Sequence, residues 1–375
     1  MTARPWLLLT GATGLLGGFL LRDMLAMGWR VAVLARANRR ETAVQRVERV
    51  LANLERINEV RLPRPRVIEG AIHGDPESVS VSSEDLRWVR QHVGQLIHSA
   101  ASVTFQGRSD NGEPFRTNVG GVLALLAFCR SAGIPVFHHV STAYVCGDRE
   151  GAVRESELDC GQSHSNDYEK SKFMAEKLLQ GAAPEFEQIT IFRPSIIVGE
   201  MATGYTATFH GFYTPLKILG LQLQAGGVTG VTAERFWTAL GFVGHESKNL
   251  VPADWVSAAM LRVVGDSSLH GQTYHLTTGH PTPVSLLGDV FGALLAGLEG
   301  AEGPRVSADP NLTMALVESF VEQMSVYRAY WKNDPEFARD NLSKAVPDLP
   351  APKLSRHTLM RLGGWALRNG FRLSS

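Results

Sequence analysis

The chain has 375 residues, and 37 Lys and Arg residues balance 37 Asp and Glu residues, so the formal net charge is zero. This length exceeds a minimal dinucleotide-binding domain and leaves room for a smaller appended part. A balanced charge gives no global field to hold nucleic acid or an anionic membrane, so we expect neither as a partner.

Cysteines, histidines and apolar runs narrow the class of protein further. Cys129, Cys146 and Cys160 are odd in number and lack C-x-x-C spacing, which indicates no disulfide framework or zinc knuckle and fits a reducing cytoplasm. The twelve histidines include no H-E-x-x-H pair, so no metal is expected. Met1–Leu9 lacks the h-region of a signal peptide, and Leu286–Leu298 is too short to span a bilayer.

Short apolar runs alternate with helical patterns in the first half of the chain, which predicts an α/β fold with a doubly wound parallel sheet of the Rossmann type. The predicted strands are Trp6–Thr10, Val31–Ala35, Val67–Gly70, Gln95–Ser99, Val136–Ser141 and Gln188–Arg193. The predicted helices are Leu15–Met27, Glu41–Arg56, Glu84–Val93, Thr117–Ala132 and Asp167–Gln180. We therefore expect a Rossmann domain over residues 1–200.

The alternation becomes irregular after Pro194, where aromatic and glycine-rich segments begin. We expect residues 201–375 to form a smaller, mostly helical substrate-binding region, with residues 250–280 returning to the Rossmann core. From Val317 to Ser375, aromatic and apolar residues recur at helical spacing, which predicts a helical cap.

A glycine-rich segment, T-G-A-T-G-L-L-G, joins the first predicted strand to the first predicted helix. Gly11 allows a tight turn, Gly14 lets backbone N–H groups approach a pyrophosphate, and Gly17 permits close helix packing. Because strand and helix both stand in the required places, we interpret the segment as a dinucleotide-binding turn. The other residues of this turn that we expect at the cofactor are Thr13, Leu15 and Leu16.

The end of the second strand discriminates between NAD and NADP, because NAD-binding proteins usually carry an acid there to bind the ribose 2′-hydroxyl. Here the strand is followed by Arg36, and Arg39 and Arg40 precede the first acid, Glu41. A guanidinium binds phosphate through charge-assisted hydrogen bonds, so Arg36 and Arg40 predict NADP(H) as the cofactor. The alternative is that these arginines only solvate a loop, which suits Arg39 better than Arg36.

Tyr168 and Lys172 lie four residues apart at the start of a predicted helix and therefore share one helix face. An ammonium beside a phenol stabilises the phenolate, so we expect a lowered pKa for Tyr168 and a role in proton transfer. This spacing alone is common by chance. It gains weight because the segment His139–Gly147 brings hydroxyl groups to the carboxyl edge of the sheet, where such folds bind ligands.

At this point the sequence resembles the extended short-chain dehydrogenase/reductases over most of the chain. The resemblance implies that Thr142, five residues before the glycine of the strand-five turn, supports the catalytic tyrosine. It also implies that Asn118 helps to position the catalytic lysine. A helix cap or a solvent contact is the alternative role for Asn118.

Within this superfamily the chain most resembles thioester reductases and fatty acyl-CoA reductases. The segments that carry the likeness are His98–Phe105, Ser141–Val145 and Phe192–Gly199. It implies a second group of residues at the cofactor, namely Ala100, Ala101, Ser102, Ser141, Pro194 and Ile197. Ala71 stands where relatives often carry Asp, which puts the adenine contact expected from Ile72 in doubt.

The residues expected at the substrate are Phe105, Tyr144, His210 and Tyr213, although core packing explains Tyr213 equally well. Cys146 could support a covalent thioester mechanism, but a buried structural thiol is the preferred interpretation because no histidine pairs with it in the sequence.

The resemblance implies reduction of an acyl thioester by NADPH to an aldehyde, with a possible second reduction to the alcohol. The acyl group would arrive on coenzyme A or on an acyl carrier protein. Two alternatives stay open: an extended-family ketone reductase or hydroxysteroid-type dehydrogenase, and a non-catalytic NADP-binding regulator. The second is disfavoured because the chain retains both Tyr168 and Lys172.

Overall fold

The computed structural model describes residues 5–74, 77–107, 111–224, 246–299, 318–324, 330 and 333–371. The strands are β1 (Trp6–Thr10), β2 (Val31–Ala35), β3 (Arg66–Glu69), β4 (Ala71–Gly74), β5 (Glu77–Ser80), β6 (Val93–His98), β7 (Val136–Val140), β8 (Ala152–Val153), β9 (Gln188–Pro194), β10 (Ile196–Val198), β11 (Ser247–Lys248), β12 (Leu250–Pro252), β13 (Thr273–Leu276), β14 (Thr282–Pro283) and β15 (Glu336–Phe337). The helices are α1 (Leu15–Ala26), α2 (Ala43–Asn58), α3 (Ser83–His92), α4 (Gly121–Ala132), α5 (Asp167–Ala182), α6 (Tyr213–Gln224), α7 (Ala253–Val264), α8 (Val284–Glu299), α9 (Asp340–Ala345) and α10 (Arg356–Arg368).

Seven strands form one parallel sheet in the order β3, β2, β1, β6, β7, β9, β13. Numbered along the chain among themselves, these strands have the order 3-2-1-4-5-6-7, which is the Rossmann order extended by one strand. The predicted fold is therefore confirmed. The order reverses between β1 and β6, and ligands of such sheets bind beside the carboxyl ends of the strands at that reversal.

Local sequence explains the positions of these elements. β2 is buried at every position, as expected for a parallel strand with helices on both faces. Helix α2 begins two residues later than predicted because Thr42 caps it, with the side chains of Thr42 and Gln45 forming a capping box. Asn166 caps α5 by accepting a hydrogen bond from the backbone N–H of Glu169, which fixes the start of the helix that carries Tyr168 and Lys172.

Two features between β3 and α4 differ from the prediction. β4 and β5 pair as an antiparallel hairpin, and these short strands of mixed polarity give no clear periodic signal. The predicted helix at Thr117 begins instead as a π-helical turn, Arg116–Gly120, before α4. A Cβ at Gly120 would overlap the carbonyl oxygen of Gly74, so glycine allows the hairpin and this turn to approach each other closely.

The chain forms two compact units. The first comprises Met1–Ser195, Ala253–Thr277 and Glu336–Pro350, and the second comprises Ile196–Pro252, Thr278–Pro335 and Ala351–Ser375. In the first unit, α7 packs on α1, and β15 pairs with β8. The second unit has its own apolar core from α6, α8 and α10. Parts of the tail are helical at residues 318–324, in α9 and in α10, while residues 300–317, 325–329, 331–332 and 372–375 lie outside the described ranges.

Candidate active site

The glycine-rich segment forms the turn between β1 and α1. Gly11 has a φ of +77°, and a Cβ there would lie 2.5 Å from the backbone nitrogen of Ala100. A Cβ at Gly17 would overlap the carbonyl oxygen of Gly11, whereas Gly14 is exposed and donates its N–H to that oxygen at 2.9 Å. The turn therefore offers a close backbone approach at the amino end of α1, which fits the pyrophosphate of a dinucleotide.

The remaining residues of the turn differ in their surroundings. Leu16 is buried in the core, and Leu15 is half-buried. The hydroxyl of Thr13 accepts a hydrogen bond from Nη2 of Arg46 at 3.3 Å. Ala100, which follows β6, abuts Gly11, so the structure brings two of the predicted cofactor segments together.

An arginine that sequence analysis did not select lies beside the turn. Arg46, on α2, donates from Nη1 to the carbonyl oxygen of Arg36 at 2.6 Å, in addition to its bond to Thr13. Its Nε is buried and has no hydrogen-bond partner in the described part of the chain. Burial and the charge of Arg36 lower the pKa of Arg46. Two guanidinium groups thus adjoin the end of β2, where an anion would reduce their mutual repulsion.

The other residues predicted to lie around the adenosine make different contacts. Arg40 is exposed, and its backbone N–H donates to Oδ1 of Asn38 at 2.7 Å. The carboxylate of Glu41 binds Nε of Arg49 at 2.9 Å. Ile72 is half-buried on β4, where it packs against the core of the first unit.

The strand–loop junction after β7 holds the proposed catalytic hydroxyl. Thr142 is buried, donates from Oγ1 to the carbonyl oxygen of Pro194 at 3.4 Å, and accepts from the backbone N–H of Tyr144 at 3.3 Å. A hydrogen bond also joins Thr142 to the phenol of Tyr168. The neighbouring Ser141 is buried, and its Oγ has no partner among the residues described.

The protonation of Tyr168 differs from the expectation. Burial raises the pKa of Tyr168 to about 12, and the hydrogen bond with Thr142 opposes this rise only in part. Lys172 is not among the groups that lower it, because its amino group is directed to other partners. The expected lowering of the pKa is therefore wrong for this structure, and the phenol carries its proton at neutral pH.

Lys172 is buried at the same edge of the sheet. Its Nζ donates to the carbonyl oxygen of Val140 at 2.6 Å and lies 3.2 Å from Nε2 of His139. Burial lowers the pKa of Lys172 to about 8, although the carboxylate of Glu176 acts in the opposite direction. The ammonium form thus predominates only below about pH 8.

Asn118 lies in the π-helical turn before α4 and joins two parts of the site. Its Oδ1 accepts from the backbone N–H of Ser102 at 2.8 Å, and its Nδ2 donates to the Ser102 carbonyl oxygen at 2.9 Å. Nδ2 also donates to Oγ of Ser171 at 2.9 Å. Asn118 therefore fixes the loop after β6 against α5, and it makes no described bond to Lys172 itself.

The residues predicted to contact the substrate lie partly in the first unit and partly in the second. In the first, the ring of Phe105 lies 5.8 Å from the ring of Tyr168, and Tyr144 packs edge-on against Phe337. In the second, His210 is exposed. Tyr213 is buried and accepts a hydrogen bond from the Gly199 N–H at 2.9 Å, so core packing accounts for its position.

The remaining predicted residues are Ala101, which is exposed after β6, Pro194, which ends β9 in the first unit, and Ile197, which lies on β10 in the second. Cys146 is buried.

Within the described ranges, no group of three His, Cys, Asp or Glu side chains is placed to hold a metal ion. The helices in those ranges are all too short or too polar to cross a membrane.

A Rossmann sheet whose glycine-rich turn and Thr-Tyr-Lys group share the carboxyl edge defines an oxidoreductase of the extended short-chain dehydrogenase/reductase class, with a nicotinamide dinucleotide as cofactor. Residues 9–260 match the family described as male sterility protein, a family of NAD-binding domains, and the chain belongs to that family.

Several known proteins are similar to this chain. A non-canonical nonribosomal peptide synthetase, hkm10 of Aspergillus hancockii, is 24% identical over 383 residues, covering 94% of this chain and 35% of the synthetase. The L-2-aminoadipate reductase large subunit of Penicillium chrysogenum is 26% identical over 300 residues, covering 75% of this chain and 20% of that protein. The chain thus spans about a third or less of these relatives.

Solved structures share the fold over nearly the whole chain. The terminal R domain of the myxalamid PKS-NRPS pathway has a TM-score of 0.73 and 24% identity, covering 99% of this chain and 93% of that one. The reductase domain of a nonribosomal peptide synthetase from Mycobacterium tuberculosis has a TM-score of 0.69 and 21% identity, covering 98% and 92%.

Proposed function

We propose that the chain reduces acyl thioesters with NADPH. The observation that carries the proposal is the contact of the buried Thr142 with the phenol of Tyr168, with Lys172 one helical turn further on. Two hydroxyl groups are thereby held together at the carboxyl edge of the sheet, where a carbonyl oxygen could accept a bond from each. The similar L-2-aminoadipate reductase and the reductase domain of a nonribosomal peptide synthetase support a thioester as the carbonyl compound.

NADPH is the preferred cofactor because two arginines lie where its 2′-phosphate would bind. Arg36 follows β2, and Arg46 contacts both Arg36 and Thr13 of the glycine-rich turn. The proposed contacts are those of Gly11, Gly14 and Gly17 with the pyrophosphate and of the two arginines with the 2′-phosphate. When bound, NADPH supplies a hydride. Three cysteines without a disulfide support a cytoplasmic setting for the enzyme.

The protein side of the reaction follows from the protonation states. Thr142 and Tyr168 would hydrogen-bond the thioester carbonyl and stabilise the negative charge that develops on its oxygen. Because the pKa of Tyr168 is about 12, its phenol is protonated at neutral pH and can act as the acid. Loss of the thiol from the resulting hemithioacetal gives the aldehyde, so one thioester, one NADPH and one proton yield one aldehyde, one thiol and NADP⁺.

The acyl donor is proposed to be a carrier protein or coenzyme A. One similar structure is a thiolation-reductase di-domain of an archaeal nonribosomal peptide synthetase, with a TM-score of 0.70 and 19% identity, which supports a carrier protein. Phe105 beside Tyr168, together with Tyr144, is proposed to contact the acyl group near the site of hydride transfer. His210, which is exposed, is proposed to line the channel for the acyl chain or the thiol arm, and Tyr213 to support that channel from the core of the second unit.

The test is an assay of the purified protein with NADPH and medium- or long-chain acyl-CoA, or the matching acyl carrier protein. Free thiol should appear in step with NADPH oxidation, at one NADPH per thiol if aldehyde accumulates and two if alcohol forms. A ketone reductase would instead oxidise NADPH with a keto substrate and release no thiol. That result, with inert thioesters of every length and carrier, would overturn the substrate proposal and leave the fold and cofactor class standing.

A further inference from the structure

A buried histidine contacts the amino group of Lys172. His139 is the fourth residue of β7, and its Nε2 lies 3.2 Å from Nζ of Lys172, 33 positions further along the chain. Both side chains are fully enclosed, with His139 0% and Lys172 1% exposed. A contact between two titratable groups at this depth restricts the position and the protonation of both.

We infer that His139 is a positioning residue for Lys172, whose ammonium it holds by accepting a hydrogen bond at Nε2. The inference rests on the proposed function, because it takes Tyr168 and Lys172 to be the working pair. Position 139 would then carry a histidine because the reaction needs it, and not because it stabilises the sheet.

The protonation of His139 suits it to the role of acceptor. Burial and the nearby charge of Lys172 hold the pKa of His139 well below its ordinary value, so the ring is neutral at working pH. A neutral imidazole that accepts at Nε2 carries its proton on Nδ1. A neutral acceptor supports the ammonium while leaving its positive charge available to the cofactor.

The bond to Lys172 is the one side-chain hydrogen bond that the described structure gives His139. Its Nδ1 is buried without a partner in the same part of the chain. A buried polar ring with one unsatisfied nitrogen is less favourable than an apolar side chain of similar size. Packing alone therefore does not explain a histidine at this position, whereas the contact with Lys172 does.

A second polar residue near the site, Asn118, is already bonded elsewhere. The side-chain amide of Asn118 forms hydrogen bonds with the backbone N–H and carbonyl oxygen of Ser102 and with Oγ of Ser171. The carbonyl oxygen of Val140 is the second acceptor for Nζ of Lys172, and a backbone oxygen is present whatever the side chain there. The side-chain contribution to the placement of Nζ therefore falls to His139.

The charged and titratable groups around Lys172 come from three elements besides β7. On α5 they are Tyr168, one turn earlier, and Glu176, one turn later. On β9, Arg193 binds Glu176 at 2.7 Å and reduces the net charge at that end. On β6, His98 lies beside His139, and burial lowers the pKa of His98 to about 3, so it too is neutral at working pH.

The sign of the pH effect follows from these surroundings. The ammonium form of Lys172 is the one that His139 stabilises, so loss of the acceptor lowers the pKa of Lys172 below its present value of about 8. If the reaction needs the ammonium, kcat/KM falls as pH rises through that pKa. Removing the acceptor then moves the basic limb of the pH profile to lower pH.

The decisive comparison is between His139→Leu, which removes the acceptor, and His139→Gln, whose amide oxygen can replace Nε2. We expect His139→Leu to move the basic limb down by about one pH unit and to lower kcat/KM at pH 8 by about fivefold. His139→Gln should restore most of both. The matched control is His138→Leu, because His138 is equally buried on β7, bonds Gln95 at 3.2 Å and does not contact Lys172.

An unchanged basic limb in His139→Leu, or an equal shift in His138→Leu, would overturn the role of His139. If His139→Leu does not fold, His139→Asn, whose amide is too short to reach Nζ, replaces it against His139→Gln with the same expected difference. A parallel Lys172→Met variant separates the two proposals: near-normal turnover there would refute the proposed catalytic pair, whereas a dead Lys172→Met beside an unchanged His139→Leu would refute only the present inference.

Discussion

The two ends of the proposed cofactor site are built in opposite ways. At the adenosine end, Arg36 is exposed and Arg46 reaches it across the surface of α2. At the catalytic end, Thr142 and Lys172 are buried, Tyr168 is half-buried, and Nζ of Lys172 donates to the carbonyl oxygen of Val140 at 2.6 Å. The adenosine end acts through charges that are in contact with solvent, whereas the catalytic end acts through groups whose pKa values are shifted by burial.

This difference decides which property each end can control. Exposed charges attract an anion over a distance, and salt screens them, so they set affinity and cofactor preference. Buried groups change their protonation, as the pKa values of about 12 for Tyr168 and about 8 for Lys172 illustrate. The catalytic end therefore sets the chemistry and its pH dependence, and it should be the less tolerant of substitution.

The largest expected effect is on stability at the catalytic end. Glu176 and Arg193 form an ion pair with each side chain 2% exposed, so Glu176→Gln leaves an uncompensated buried charge and should lower the free energy of unfolding by about 3–5 kcal/mol. The control is Lys177→Gln on the next position of α5, where the pair with Asp159 is half exposed and should leave the unfolding midpoint unchanged. Urea unfolding followed by circular dichroism measures both. Equal midpoints for the two variants would contradict the contrast between buried and exposed charge.

The next effect is on turnover. Tyr168→Phe removes the acid with little change in volume, so kcat should fall by about 10² or more while NADPH still binds. Tyr274→Phe is the matched control, because Tyr274 is a buried tyrosine of the first unit that donates its hydroxyl to the carbonyl oxygen of Leu269. Stopped-flow measurement of NADPH oxidation compares them. Near-normal turnover in Tyr168→Phe would place the proton donor elsewhere.

The smallest effect is expected at the adenosine end. The wild-type protein should bind NADPH at least about tenfold more tightly than NADH, and Arg36→Ala or Arg46→Ala should remove most of that preference while sparing NADH. Arg56→Ala, on the last turn of α2, is the control and should leave the preference intact. Fluorescence titration at two salt concentrations measures the affinities and their screening. A wild-type preference for NADH would refute the assignment of NADPH.

Sequence by itself determined the sheet and the two motifs. β1, β2, β6, β7 and β9 lie within two residues of their predicted bounds, because buried parallel strands appear as short apolar runs between turn signals. The glycine-rich turn and the four-residue spacing of Tyr168 and Lys172 were also readable, since both depend on neighbours along the chain. The hairpin β4–β5 was missed because its stability comes from packing and not from its own pattern.

Tertiary structure decided which side chains contact these motifs and how it shifts their pKa values. Arg46 and His139 gave no sequence signal, since each meets its partner only when a helix and a strand pack together, 10 and 33 positions apart in the chain. The pKa of Tyr168 was predicted in the wrong direction from spacing alone, because a lysine four residues away acts on a phenol only if its amino group points there. Helical spacing fixes which face two side chains share, whereas burial and competing hydrogen-bond partners fix where their protons reside.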